Sequence, residues 1–281
     1  MKSLSYRSYA KVNVGLKILS QRPDGFHNIN TVFQELDFFD TIQLKRIGSG
    51  CDFSSNVDWL DNNDSNLCVL AWKKFSENYD IGGVSINLYK NLPSGGGLGG
   101  GSSNAATILK GLCSLYSLRP TFEELKTIAT ELGADVPFFL KGGLQSASGI
   151  GEDLIQHTGS IPGSYLLIIP SFKIDTAWAY KSCKKFLDKD KEELNFAGLL
   201  NKDQIPLKFF KNDFEPIVIP AYPEIAEIKE KLWSTGPRFV SLSGSGSTVY
   251  GIFDDEADAR SAESKFSHDY STFIANPIEH M

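Results

Sequence analysis

"PSGGGLGGGSSNAA" (residues 93–106) sets six glycines between Gly95 and Gly101 and follows them with Ser102, Ser103 and Asn104. Ahead of it, "GVSINLYK" (Gly83–Lys90) alternates apolar and polar residues as a half-buried strand does. Behind it, Ala105, Ile108, Leu109, Leu112 and Tyr116 recur on one helical face. Glycine lets backbone N–H groups close on an anion, and a helix N-terminus adds unpaired donors and partial positive charge. The spacing predicts a strand–loop–helix cradle for phosphate.

Three other readings of the glycines are weaker. A P-loop requires lysine after the second frame glycine; Gly96 and Gly101 give the frame, but Ser102 stands in the lysine position. Gly95, Gly97 and Gly100 meet the G-x-G-x-x-G dinucleotide spacing. That fold, however, returns from its helix into a parallel strand. Here a second helix follows instead, with Thr121 and Glu124 as a capping box, Leu125, Ile128, Ala129 and Leu132 as its stripe, and Gly133 as its stop. A flexible linker does not fit between so regular a strand and so amphipathic a helix.

Elsewhere, "KVNVGLKI" (Lys11–Ile18) sends Val12, Val14, Leu16 and Ile18 one way and Lys11, Asn13 and Lys17 the other. "RPDG" (Arg22–Gly25) is a turn. Residues 29–36, 41–47 and 83–90 read as further strands. After residue 160 come the strand "YLLII", a helix over 176–187, and a helix opened by Pro223 that ends near Gly236. "RFVSLSG" and "STVYGIF" form a strand pair around a second glycine turn, followed by a helix over 255–266 and the strand "STFIA". With extra helices inserted, this half is β-α-β-β-α-β. The class is α+β, divided as 1–160 and 161–281.

The 281 residues carry 41% hydrophobic and 22% charged side chains, a soluble globular composition long enough for two domains. A net charge of −6 argues against a broad nucleic-acid or anionic-membrane surface. No run approaches the ~18 apolar residues of a membrane helix, and no targeting leader is expected. Cys51, Cys68, Cys113 and Cys183 have no metal-site spacing and suit a reducing cytoplasm; Cys113 falls in an apolar helical pattern, as a buried thiol. The four histidines are scattered and suggest no metal cage.

The strand–GGGLGGGSS–helix motif resembles the ATP-binding loop of the GHMP kinases, named for galactokinase, homoserine kinase, mevalonate kinase and phosphomevalonate kinase. Three more stretches, "AKVNVGLKILSQRPDGFH" (Ala10–His27), "LGADVPFFL" (Leu132–Leu140) and "SLSGSGSTVYG" (Ser241–Gly251), are similar to the branch acting on 4-diphosphocytidyl-2-C-methyl-D-erythritol. The resemblance runs from about Ala10 to Gly251. It implies an N-terminal ATP-binding domain with a left-handed βαβ crossover and a C-terminal ferredoxin-like domain. The activity it implies is ATP-dependent phosphorylation of that substrate's 2-hydroxyl in the non-mevalonate isoprenoid pathway, with Mg²⁺ beside the ATP.

Residue by residue, the resemblance implies Asp135 as the base and Lys11, beside that aspartate, as the group polarising the hydroxyl. Taken alone, Asp135 reads as a turn aspartate and Lys11 as a solvated lysine on a polar strand face. ATP falls to Asn66 and Leu67 (beside adenine), Lys90, Pro93, Ser94, Gly95, Gly96, Gly97, Leu98, Gly99, Gly100, Gly101, Ser102 and Ser103. Ser103 also matches the serine near the metal, although a helix N-cap is an equal reading. The cytidyl substrate falls to Asn13, Phe26, His27, Tyr180, Gly244 and Ser245. Many members have tyrosine at Phe26; stacking survives that change. Core packing is the ordinary alternative for Phe26 and Tyr180, and a tight hairpin turn for Gly244. A small molecule carrying cytidine diphosphate is the partner implied, with no nucleic-acid polymer, membrane or obligate protein. A different GHMP kinase and a non-catalytic nucleotide sensor stay open. The Phe26–His27 pair separates the first, and the joint presence of Lys11 and Asp135 the second.

Overall fold

Two long strands open the chain, β1 (Ser3–Gln21) and β2 (His27–Ile47), paired with each other and joined by the Arg22–Gly25 turn. In this computed structural model, residues 3–60, 62–63, 65–183, 196–200 and 205–279 are described. Neither strand belongs to one compact unit. The first unit takes the residues up to Ala10, Phe39–Ser94 and Gly99–Lys141; the second takes Lys11–Phe38, Gly95–Leu98 and the chain from Gly142.

In the first unit, β3 (Cys51–Ser55), α1 (Leu67–Asn78) and β4 (Gly83–Tyr89) form a βαβ crossover, with β3 and β4 parallel. β4 also pairs antiparallel with the end of β2. Leu88 lies opposite Ile42 and Ile86 opposite Leu44, all four buried, while Gln43 and Asn87 between them face outward. The period-2 pattern thus sets the register, because a one-residue slip would expose the apolar set. On the buried side lies α2 (Gly100–Tyr116), where a Cβ on Gly111 would meet Leu44 Cδ1, and α3 (Phe122–Leu132) packs against α1 and α2. The capping box of α3 is formed as predicted, and Gly133 closes the helix. A turn then leads to α4 (Phe138–Lys141).

In the second unit, β5 (Leu144–Ser148) and β6 (Asp153–His157) make a hairpin, and β5 pairs with Thr31–Gln34 of β2. There follow β7 (Ser164–Ile169), α5 (Thr176–Cys183), α6 (Phe196–Leu200), α7 (Glu215–Ala221), α8 (Pro223–Trp233), β8 (Phe239–Leu242), β9 (Val249–Phe253), α9 (Glu256–Glu263) and β10 (Ser271–Ala275). The last four strands form an antiparallel sheet in the order β10-β7-β9-β8. Numbered within this half the order is 4-1-3-2, so its first and last strands lie side by side and the β8–β9 pair extends the sheet from β7. Leu166, Ile168, Ile228, Leu232, Phe253 and Phe266 fill its core.

Three sequence expectations change. The two strands read at 29–36 and 41–47 are one, because Asp37 and Asp40 in the interruption accept backbone N–H groups from Asn276 and from Asn91 and Leu92 and so fit within the strand. The polar face of Lys11–Ile18 is not solvated, since Lys11 and Asn13 are both buried. Cys113 is half-buried, not buried. Residues 184–187 of the helix read at 176–187 lie outside the described residues.

Candidate active site

The glycine loop alternates conformations. Gly95, Gly97 and Gly99 have φ of 75°, 78° and 70°, the left-handed region that side chains disfavour. Gly99 is the N-cap of α2, and no side chain bonds the helix start. Ser103 therefore does not cap the helix. It lies one turn inside, its N–H donating to the Gly99 carbonyl at 2.9 Å, and its buried hydroxyl accepts from Ser8 Oγ at 2.8 Å. A glycine cap leaves first-turn N–H donors without a side-chain partner, which is the arrangement an anion takes up. A triphosphate fits this end of α2 by its donors. Among the described residues no group of three metal-ligating side chains occurs.

Also in the first unit, Asn66 is the N-cap of α1, its side chain accepting from Cys68 N at 2.9 Å. Burial pushes the Cys68 thiol up to about 12, so it stays protonated there. Leu67 touches the start of α2: a Cβ on Gly101 would lie 3.4 Å from Leu67 Cδ1. Pro93 and Ser94 are half-buried. Lys90 is buried and paired with Asp40. Asp135 is half-buried in the turn between α3 and α4, where Val136 N–H donates to the Gly133 carbonyl at 3.0 Å and Val136 and Pro137 are buried.

In the second unit, the first half of the loop packs on the second glycine turn. Ser243 Oγ donates to the Gly97 carbonyl at 2.8 Å, and Thr248 N–H donates to the Gly96 carbonyl at 3.2 Å. Lys11 N–H donates to the Leu98 carbonyl at 3.0 Å, which places Lys11 on the loop. Its ammonium donates to Asn13 Oδ1 at 2.6 Å and lies 5.0 Å from the centre of the Phe33 ring. The Asn13 amide is fixed in direction. Thr31 Oγ1 donates to the Gly15 carbonyl at 2.7 Å, so it accepts from Asn13 Nδ2 at 2.9 Å and leaves Oδ1 toward Lys11. Tyr250, whose phenol burial raises well above its ordinary value, stays a donor to the Asn13 carbonyl at 2.8 Å. Gly244 is beside Asn13, and Ser245 Oγ bonds Thr176 Oγ1 at 2.8 Å.

His27 is buried and stacks on Tyr180, with ring centroids 5.1 Å apart and planes 23° apart. Tyr180 meets Phe214 edge-on at 4.9 Å. Phe26 is 58% exposed, which removes core packing as its role. Thr31, Ser243 and Asp40 were not read from the sequence as site residues. Nothing local marks them: a threonine in an alternating strand, a serine in a small-residue turn and an aspartate at a strand break all look ordinary until their partners arrive from elsewhere.

A loop of this kind at a helix start, without a lysine in its frame, beside an α+β chain ending in a four-stranded antiparallel sheet, defines a small-molecule kinase. Residues 66–143 match the family described as "GHMP kinases N terminal domain", and residues 192–272 match "GHMP kinases C terminal". The 4-diphosphocytidyl-2-C-methyl-D-erythritol kinase of Prosthecochloris aestuarii is 39% identical over 280 residues, 96% of each chain. The enzyme of that name from Chlorobaculum tepidum is 39% identical over 272 residues, 95% of each. A crystal structure of 4-(cytidine 5'-diphospho)-2C-methyl-D-erythritol kinase superposes with a TM-score of 0.85 at 29% identity, covering 99% of this chain and 100% of that one. The chain belongs to the GHMP kinases, in the 4-diphosphocytidyl-2-C-methyl-D-erythritol kinase family.

Proposed function

We propose that this chain transfers the γ-phosphoryl group of ATP to the 2-hydroxyl of 4-diphosphocytidyl-2-C-methyl-D-erythritol, in the non-mevalonate route to isoprenoid precursors. Phosphoryl transfer proceeds through a loose transition state, so positioning and charge neutralisation do most of the catalysis. The backbone donors of residues 93–103 hold the phosphates, with Asn66 and Leu67 toward the adenine. Ser103 would lie beside Mg²⁺ brought in on the nucleotide, which when bound would supply neutralisation of the phosphate charge. Asp135 accepts the hydroxyl proton. Lys11, held by Asn13, polarises the hydroxyl, and Gly244 and Ser245 border the substrate phosphates. Four cysteines held as thiols and not as disulfides support work in a reducing cytoplasm. No helix among the described residues is long and apolar enough to cross a membrane. We assign the chain no nucleic-acid polymer, membrane or obligate protein partner, and we retain 1–160 and 161–281 as its functional halves.

The observation that carries the base-bearing substrate is the exposed Phe26 next to buried His27, itself stacked on Tyr180. A large exposed ring beside an ordered imidazole supports stacking and edge recognition of a nucleobase. Turnover with ATP and the cytidyl substrate, set against the same alcohol without its cytidine, tests the function. Turnover indifferent to the cytidine would assign the chain to another GHMP activity. Phe26→Ala is expected to raise KM for the cytidyl substrate about 2- to 12-fold, the equivalent of ~0.5–1.5 kcal/mol for one stack. KM for ATP and Tm should stay at wild-type values, because the ring fills no cavity. A lower Tm with an unchanged KM would return Phe26 to a structural role.

Thr31→Val keeps volume and removes the hydroxyl that orients Asn13. The amide is then free to turn its NH₂ toward Lys11, and the loss of a buried hydrogen bond is worth ~1–3 kcal/mol. The expected result is a kcat lowered about tenfold or more, with KM for ATP within twofold and activity restored by Thr31→Ser. Equal kcat in the valine variant would show that Lys11 does not depend on this chain of bonds.

A further inference from the structure

The carboxylate of Asp40 is fully buried and has all four of its acceptor positions filled. Oδ1 accepts from Asn91 N–H and Leu92 N–H, both at 2.7 Å. Oδ2 accepts from Lys90 Nζ and from Asn104 Nδ2, the latter at 2.9 Å. Asn91 and Leu92 immediately precede the glycine loop, and Asn104 immediately follows it. One side chain on β2 thus closes both ends of the loop, residues 93–103. The bond set extends further. Asn104 Nδ2 also donates to Ser8 Oγ at 2.9 Å, and Ser8 Oγ donates to Ser103 Oγ at 2.8 Å.

Charge makes the same point. The Lys90 ammonium lies beneath the first turn of α2, 3.1 Å from where a Cβ on Gly100 would sit. A buried cation at a helix N-terminus meets the positive end of the helix dipole and is costly without a counter-ion. Asp40 supplies that counter-ion. The α2 start therefore rests on a neutral buried pair and keeps its backbone donors for a ligand.

We infer that Asp40 is a positioning residue for nucleotide: it sets the span and direction of the phosphate loop from beneath, touching neither substrate. The inference rests on the loop being the ATP cradle. Asp40→Asn is the isosteric test. Its amide keeps one acceptor oxygen, but its NH₂ turns a donor toward donors at Lys90 and Asn104 or at the two backbone N–H groups. Steady-state kinetics should show KM for ATP raised about tenfold or more, with KM for the cytidyl substrate within twofold. Direct titration with ATP should show the same loss. Wild-type protein that fails to bind ATP would overturn the loop reading and this inference with it. Wild-type binding matched by Asp40→Asn, or equal shifts in both KM values, would overturn this inference alone. Where Asp40→Asn does not fold, Ser8→Ala removes only the bridge from Asn104 to Ser103. It should raise KM for ATP about threefold or more at unchanged KM for the cytidyl substrate, and an unchanged KM for ATP would overturn the inference.

Discussion

Asp135→Asn is expected to lower kcat about 10²- to 10⁴-fold while ATP still binds with near wild-type affinity. That range is the usual contribution of a positioned proton acceptor. The substitution keeps the shape of the side chain and removes its basicity. The turn that presents it should survive, because its anchors are elsewhere: Val136 and Pro137 are buried, and the Val136 N–H is bonded to the Gly133 carbonyl. Tm should therefore stay close to wild type. Rapid-quench or steady-state assays with both substrates saturating, beside ATP titration, check the split. If Asp135 is a turn residue only, the variant turns over at the wild-type rate. If it holds ATP and accepts no proton, KM for ATP rises and kcat at saturation stays. Either outcome would move the base to another residue.

Of the candidate site, Lys11 and Asp135 looked ordinary by themselves and were singled out only by the resemblance of their segments, whereas the glycine loop carried a local pattern. The capping box of α3 and the stop at Gly133 were readable for the same reason: both are made by neighbours in sequence. What failed to show was anything made by distant partners. The Lys11 face looked solvated, since a lysine and an asparagine on alternate strand positions ordinarily face water. Here the second glycine turn and Tyr250 cover that face, and neither leaves a mark in residues 11–18. Asp37 and Asp40 looked like a strand break because aspartate is depleted in strands; backbone donors from Asn276, Asn91 and Leu92 reverse that. The stack of His27 on Tyr180 joins segments far apart in sequence, and neither signals the other. The division of β2 between two compact units has the same origin, since it pairs with β5 at Thr31–Gln34 and with β4 at Thr41–Ile47.

Gly97→Ala is expected to damage both nucleotide binding and stability, by more than any other single methyl added to the loop. Gly97 has φ of 78°, so alanine there is strained whatever room it has. It has no room. The new Cβ would sit 2.1 Å from the Ser243 carbonyl oxygen and 3.2 Å from that of Gly246. Both are backbone atoms, so no rotamer change relieves the overlap. The loop must move off the second glycine turn, breaking the Ser243-to-Gly97 bond and straining the Thr248-to-Gly96 bond. Backbone strain alone costs ~1–3 kcal/mol, which at ~2–4 °C per kcal/mol for a chain of this order lowers Tm by several degrees. KM for ATP should rise about tenfold or more. Gly101→Ala is the contrast. Its Cβ would meet only Leu67 Cδ1, at ordinary distance, inside the first turn of α2, where alanine favours the helix by ~1 kcal/mol over glycine. That variant should melt at or above the wild-type temperature. A loop that worked merely as a flexible linker would treat the two substitutions alike, so equal melting temperatures and equal KM for ATP in the pair would refute the packed-cradle account.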